Sequence, residues 1–483
     1  GQEIQERTAY NSFNYSPVFD EEHRIVGFPE MDDIDGSEIN YSALGGTGKS
    51  VSKMSSFFAN ASYSYLDKYI LTGALRYDGS DIIGNDNQFT PLWNVGLRWN
   101  LHREEFMKRW MWVDQFAVRG GFGYTGSIDK NALPFVVMTL GQSVIYDGQT
   151  VPTSFSYPNP NVKWQTKQDM NVGLDLSLFD YRLELGVNYY NNITRDVLDR
   201  KALPYSSGRS EVTENVADIY NSGWEIDLGV TLLKNKSFQW YAKANIAIND
   251  NKVKNTYYKD TKDLPKATLS NAHQFVENQP VNGWYGYKFA GINPINGAVM
   301  TYTGNGEATL DMSVSGATWP IPSVFYLGNL TPPVVGGFST SANWKQLIFS
   351  ANFEFKTGHK IKSFNTFRSL DARNRHTSEA NRWREPGDIT NVPAMSEAFT
   401  TYSSYMYDIL LEKGNYLRCS YMTLGYNLKP EWLHKIGFST ARLSFTAKDL
   451  FTVSSYSGID PALMGSFGYP NSRKYTITLN VGF

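Results

Sequence analysis

Residues that commonly carry chemistry are thinly spread along this chain. The six histidines, His23, His102, His273, His359, His376 and His434, show no metal-ligand spacing. Ser50 to Lys53 spells S-x-x-K, but the companion motifs that would make such a serine a nucleophile are missing, so the match is read as chance. Gly304 to Glu307 (GNGE) lacks the strand-loop-helix setting of a phosphate cradle. Asp32, Asp33, Asp35, Gly36 and Glu38 hint at a calcium loop without its full spacing and are read as a solvated acidic turn. No catalytic residue or metal ligand is assigned, and no cofactor is expected. What remains is stacking. Trp284, Tyr285, Trp319, Tyr326, Trp383, Tyr402 and Tyr405 lie in two long connections, residues 250–333 and 357–412, and offer ring faces to a sugar or to a partner.

The elements that must position those rings are strands. The last eleven residues, Arg473 to Phe483, place Tyr475, Ile477, Leu479, Val481 and Phe483 on one face and Lys474, Thr476, Thr478, Asn480 and Gly482 on the other. The same period-two pattern recurs upstream, most cleanly at Trp93, Val95, Leu97, Trp99 and Leu101 against Asn94, Gly96, Arg98 and Asn100. It predicts an all-β transmembrane antiparallel barrel, whose strands alternate lipid-facing and lumen-facing residues.

Composition permits this. Aromatics reach 15% of the 483 residues and glycine numbers 40, a strand-rich texture without linkers between independent domains. Mean hydropathy is −0.39, which suits a barrel because only every second strand residue needs to be apolar. No run is long and apolar enough for a helical span. The formal net charge of −2, with no basic cluster, gives no reason to expect nucleic acid. The single cysteine, Cys419, excludes an intrachain disulfide framework. The start, GQEIQERTAY, is not a signal peptide, so an exported chain would begin here after processing or as part of a longer product.

In order, residues 1–50 are read as a long outer loop and 51–483 as barrel. Strands are expected at 53–65, 69–77, 92–101, 116–125, 170–179, 182–190, 224–232, 238–248, 334–344, 347–355, 415–427 and 442–448, with a closing strand at the end. Residues 102–112 read as a short, helix-like connection. If the carboxyl end is periplasmic, the junctions at 66–68, 102–112, 180, 234–236, 345 and 429–439 share its side and are short. Those on the opposite side, at 78–89, 126–163, 195–218, 250–333, 357–412 and 453–471, are mostly long. Outer-membrane barrels sort their loops in this way. Charges are sorted as well: Arg98, Arg119, Asp175, Glu184, Glu225, Asp227, Lys243, Glu354, Arg442, Lys448 and Lys474 all lie opposite the apolar stripe of their strand. A charge facing lipid at mid-depth costs about 2–4 kcal/mol.

Several stretches resemble the SusC/RagA-like TonB-dependent transporters of the Bacteroidetes outer membrane. They are LRYDGS (75–80), GYTGSI (123–128), NPNVKW (159–164), GLDLSLF (173–179), NSGWEIDL (221–228), KGNYLRCSYMTLGYNL (413–428), DLFTVSSYSGIDP (449–461) and residues 469–483. The resemblance implies a barrel of about twenty-two strands, of which this chain supplies about thirteen to fourteen carboxyl-terminal ones. The amino-terminal strands and the plug would come from a segment outside this sequence or from a separate chain, because strand number and barrel size are linked. It further implies energised import through the TonB complex and a SusD-like surface lipoprotein sitting as a lid on the outer loops, where the seven aromatics would meet ligand or lid. Oligosaccharide is the first expected cargo, oligopeptide the alternative. A passive porin is a further alternative, which a plug in the assembly would exclude. Gly291 to Glu307 departs from the acidic, calcium-loop-like insertion of many members, so any calcium would lie elsewhere in the assembly.

Overall fold

The computed structural model describes residues 2–10, 18–19, 25–27, 47–81, 83, 88–128, 138–146, 149–155, 162–202, 206, 211–261, 275–310, 324–363, 380–394, 407–433, 437–464 and 469–483. Fourteen strands form one antiparallel sheet in which every strand pairs with its sequence neighbours. They are β1 (Gln2–Tyr10), β2 (Thr47–Tyr65), β3 (Tyr69–Ser80), β4 (Phe89–Asn100), β5 (Val113–Ser127), β6 (Gln165–Leu178) and β7 (Leu183–Ala202). Then come β8 (Glu211–Lys234), β9 (Phe238–Lys254), β10 (Val334–Trp344), β11 (Leu347–Thr357), β12 (Tyr416–Asn427), β13 (Thr440–Ser454) and β14 (Lys474–Gly482). Every strand expected from the alternation is present. Among the described residues no helix is long and apolar enough to cross a membrane.

One boundary needs correction. Residues 1–50, expected as outer loop, include β1, which pairs with β2 from Gln2↔Ser55 to Tyr10↔Thr47. Its sequence, QEIQERTAY, has polar residues on both faces, so period two is invisible there and only the backbone ladder shows it. The acidic segment 32–38 and the residues of GATWP around Trp319 lie outside the described residues.

The chain divides into two compact units. In the first, residues 1–59, 75–92 and 128–164, Ile83, Val162 and Trp164 are buried, and the Trp164 indole N–H donates to the Gln88 carbonyl at 3.0 Å. In the second, residues 60–74, 93–127 and 165–483, cross-strand register fixes which side chains share a face. One row runs Asn94, Gly123, Asp169, Asn192, Asn221, Asn251. The next runs Gly96, Gly121, Asn171, Tyr190, Gly223, Asn249, and below it Arg98, Arg119, Gly173, Asn188, Glu225. A further row continues Asn100, Ala117, Asp175, Gly186, Asp227, Asn245, Gly337, Glu354, Arg418. All belong to one polar face. The opposite face carries Trp93, Val95, Leu97 and Trp99, which are 36%, 46%, 53% and 36% exposed. That row is therefore not packed inside a closed core, although burying it would be worth several kcal/mol in water.

The junctions on the short side are tight. Lys68 N–H closes onto the Tyr65 carbonyl at 3.0 Å, and the expected helix-like connection is two 3₁₀ turns, Leu101–Arg103 and Glu105–Arg109. On the long side, residues 283–286 pair with 325–329, residues 289–292, 299–302 and 308–310 form a three-stranded sheet, and 360–362 pair with 411–413.

Candidate functional site

The polar face is an organised wall. Arg98 Nη1 donates to Asp175 Oδ2 at 2.9 Å, Arg119 Nε to Asp175 Oδ1 at 3.5 Å and Arg119 Nη1 to Asn188 Oδ1 at 3.2 Å. Asn188 Nδ2 then donates to Glu225 Oε2 at 3.2 Å, so the network crosses β4 to β8. Glycine makes it possible. A Cβ on Gly173 would sit 2.6 Å from the Arg119 guanidinium carbon, and one on Gly223 would sit 2.5 Å from the Tyr190 hydroxyl and collide with the Ile248 carbonyl oxygen. Long polar side chains thus lie flat across the neighbouring strand. Tyr190 uses that freedom to donate to Asn249 Oδ1 at 2.7 Å.

Between these charged groups the wall presents neutral amides: Asn94, Asn171, Asn192, Asn221, Asn245 and Asn251 are all at least partly accessible. Each amide both donates and accepts. A groove of about 480 Å³ lies over Gly337, lined by Lys243, Asn245, Ser339, Asn352, Glu354 and Lys356.

Sequence reasoning passed over one charged pair. Arg418 Nη2 donates to Asp460 Oδ1 at 2.5 Å, both side chains under 10% exposed, and Arg418 Nε donates to Thr452 Oγ1 at 3.1 Å. Asp460 also caps the 3₁₀ turn Pro461–Leu463 through the Ala462 N–H. The pair fastens the connection after β13 to the wall. Its signal was available, since Arg418 and Asp460 both sit in the stretches that carry the family resemblance.

The long connections have their own hydrophobic core of Tyr258, Val276, Tyr285, Tyr287, Ile292, Val299, Val324, Leu327, Tyr407, Leu410 and Leu411. This overturns one expectation: Tyr285 is 1% exposed, a member of that core, and has no ring face for a ligand or a lid. Burial, with Tyr326 adding to it, pushes its phenol far above the usual tyrosine range. Trp284 is half-buried and donates its indole N–H to the Lys360 carbonyl at 2.9 Å. Trp383 donates to the Pro294 carbonyl at 3.1 Å and packs over Gly297. Tyr326, 36% exposed, still presents a face. Trp319, Tyr402 and Tyr405 lie outside the described residues. Among the described residues no group of three acidic, histidine or cysteine side chains converges as metal ligands.

Residues 3–354 match the family model described as TonB dependent receptor-like, beta-barrel. The chain belongs to that family. Its members are outer-membrane β-barrels, which makes the apolar face lipid-facing, the polar face the lumen wall and the long connections extracellular. TonB-dependent receptor P3 of Formosa agariphila is 29% identical over 89% of this chain and 45% of its own length. TonB-dependent receptor SusC of Bacteroides thetaiotaomicron is 23% identical over 89% of this chain and 43% of its own. A solved structure of the RagAB peptide importer superposes with a TM-score of 0.74 at 25% identity, covering 93% of this chain and 49% of that one. The chain thus spans about half the length of the curated relatives it matches.

Proposed function

We propose that this chain forms the carboxyl-terminal wall and most of the outer loops of a SusC/RagA-type importer that takes up oligosaccharides, driven by TonB and served by a SusD-like lid. The amide-rich lumen wall carries the choice of cargo. Asp175 holds both Arg98 and Arg119, and accessible amides recur along the wall, so it best complements an uncharged, hydroxyl-rich oligomer that donates and accepts at every unit. Tyr326 adds a stacking face at the outer end.

An oligopeptide is the second reading. It is favoured by the likeness to the RagAB peptide importer, and backbone amides would satisfy the same asparagines. In the assembled transporter, a plug and amino-terminal strands contributed from elsewhere would complete the barrel, since among the described residues β1 and β14 each have one neighbour in the sheet. Mass spectrometry of material extracted from the purified assembly tests the cargo. Bound oligosaccharide is expected; a ladder of oligopeptides would replace the first reading by the second. Uptake that persists after the proton-motive force is collapsed would instead indicate a passive pore.

A further inference from the structure

The short-turn rim of the lumen wall carries cations that the rest of the fold does not use. Its carboxylates are mostly occupied. Asp67 pairs with Arg103 at 3.0 Å, Glu104 with Lys68 at 3.0 Å and Glu105 with Lys108 at 2.8 Å, while Asp114 accepts from the Tyr181 backbone N–H at 2.9 Å. Only Asp180 and Glu431 remain exposed there without an ionic partner among the described residues. Against them stand Arg109, Arg182, Lys234, Lys236, Lys345 and Lys429, all exposed and none in an ion pair among the described residues.

These cations sit on consecutive junctions: β4–β5, β6–β7, β8–β9, β10–β11 and β12–β13. The junctions are laced together by backbone hydrogen bonds, from Phe179 N–H to the Trp112 carbonyl at 2.9 Å, Thr231 N–H to Arg182 at 2.7 Å, Lys345 N–H to Ser237 at 2.8 Å and Asn427 N–H to Gln346 at 2.9 Å. Strands lie about 4.8 Å apart, so neighbouring junctions are on the order of 10 Å apart along the rim, close to the spacing of lipid headgroups.

Large apolar side chains lie beside each of them on the lipid side. Trp110, Trp112 and Phe179 stack in series at 6.0 and 5.7 Å, Leu233 and Trp344 are more than half exposed, and Lys429 Nζ lies 5.8 Å from the Trp432 ring. Aromatic rings of this kind mark the level of the bilayer interface, and the cations just beyond them reach the headgroup layer.

We infer that this rim is a collar that binds anionic phospholipid of the inner leaflet, with phosphodiester groups held between the cations and acyl chains lying along the Trp112–Phe179 plate and the Trp344 face. A row of cations beside a hydrocarbon surface complements a ligand that joins a negative headgroup to two chains, whereas a soluble anion would leave the apolar half unused. The collar would hold the barrel at a fixed depth while force is applied through its interior.

The assembled transporter containing this chain, stripped of lipid and placed in nanodiscs of equal phosphatidylglycerol and phosphatidylcholine, provides the test. The lipids that remain on the protein are counted by native mass spectrometry. Wild type should retain phosphatidylglycerol in preference, and R182Q/K234Q/K236Q/K345Q should lower that preference by about tenfold or more, whereas the charge-keeping R182K/K234R/K236R/K345R should restore it. A heat-dependent gel shift reports whether each variant has folded. If the neutral variant does not fold, the wild-type preference must fall as salt is raised, because exposed charges are screened. Equal retention of both lipids, a preference untouched by the neutral substitutions or by salt, or binding of soluble glycerol phosphate as tight as that of the lipid would each overturn the collar.

Discussion

At the scale of single residues, two positions bear most of the local cost of the wall. Arg418 and Asp460 are buried together, and removing the cation leaves a buried carboxylate with the Ala462 N–H but no counter-charge. Arg418→Met is expected to destabilise the barrel by about 3–5 kcal/mol, read as a lower urea midpoint, with residues 453–471 becoming protease-sensitive first. Gly223 is the other. A side chain there meets the Ile248 carbonyl and the Tyr190 ring at once, and the backbone oxygen cannot swing away. Gly223→Val should cost about 1–3 kcal/mol, and equilibrium unfolding of the variant against wild type measures it. A Gly223→Val protein as stable as wild type would show that the wall is not packed as described. Neither residue stands out by type in the sequence: an arginine and a glycine in a strand acquire these roles only once register sets their neighbours.

Among the elements, the outer-loop core has a titratable group at its base. His359, 3% exposed, follows β11, packs against Gly414 and receives the Gly414 backbone N–H on its carbonyl at 3.0 Å. Burial, and then the nearby Lys356 charge, lower its pKa below the ordinary 6.5. A histidine lowered in the folded state binds fewer protons folded than unfolded, so stability is complete above its ordinary pKa and falls as pH drops below it. The loop core should loosen as pH falls below about 6.5, seen as faster proteolysis of residues 275–363, and His359→Gln should remove that pH dependence.

How much of these elements the sequence revealed follows from where each sits. The strands at 92–101 and 170–179 were legible because hydrocarbon on one side and water on the other impose period two. The outer ends of β7 and β8, which run to Ala202 and start at Glu211, were not, because Val197 and Ala217 there pack with Val253 into a local core rather than against hydrocarbon on one side. β1 was missed because polar residues of QEIQERTAY fall on both of its faces. Tyr285 looked like a binding aromatic because its burial depends on the pairing of residues 283–286 with 325–329, some forty positions away, which no local pattern encodes.

For the whole molecule, everything turns on the assignment of the two faces. The Trp93, Val95, Leu97, Trp99 row was legible as an apolar stripe, and the polar rows of Arg98, Asp175 and Glu225 confirm by register that charges keep to the other side. A charge placed at Leu97 should therefore cost about 2–4 kcal/mol, while the same charge at Ser339 on the lumen wall should cost close to nothing, as judged by folding yield into lipid vesicles. The most direct measurement follows from the cysteine usage. Cys419 is the chain's single cysteine and is buried, so after its replacement by alanine a spin label can be placed at each position from 93 to 99 in turn in the assembled transporter. Labels at the odd positions should be relaxed by lipid-soluble oxygen and those at the even positions by a water-soluble nickel complex, in strict alternation. Odd positions shielded from both reagents, as in the interior of a water-soluble globule, would contradict the account.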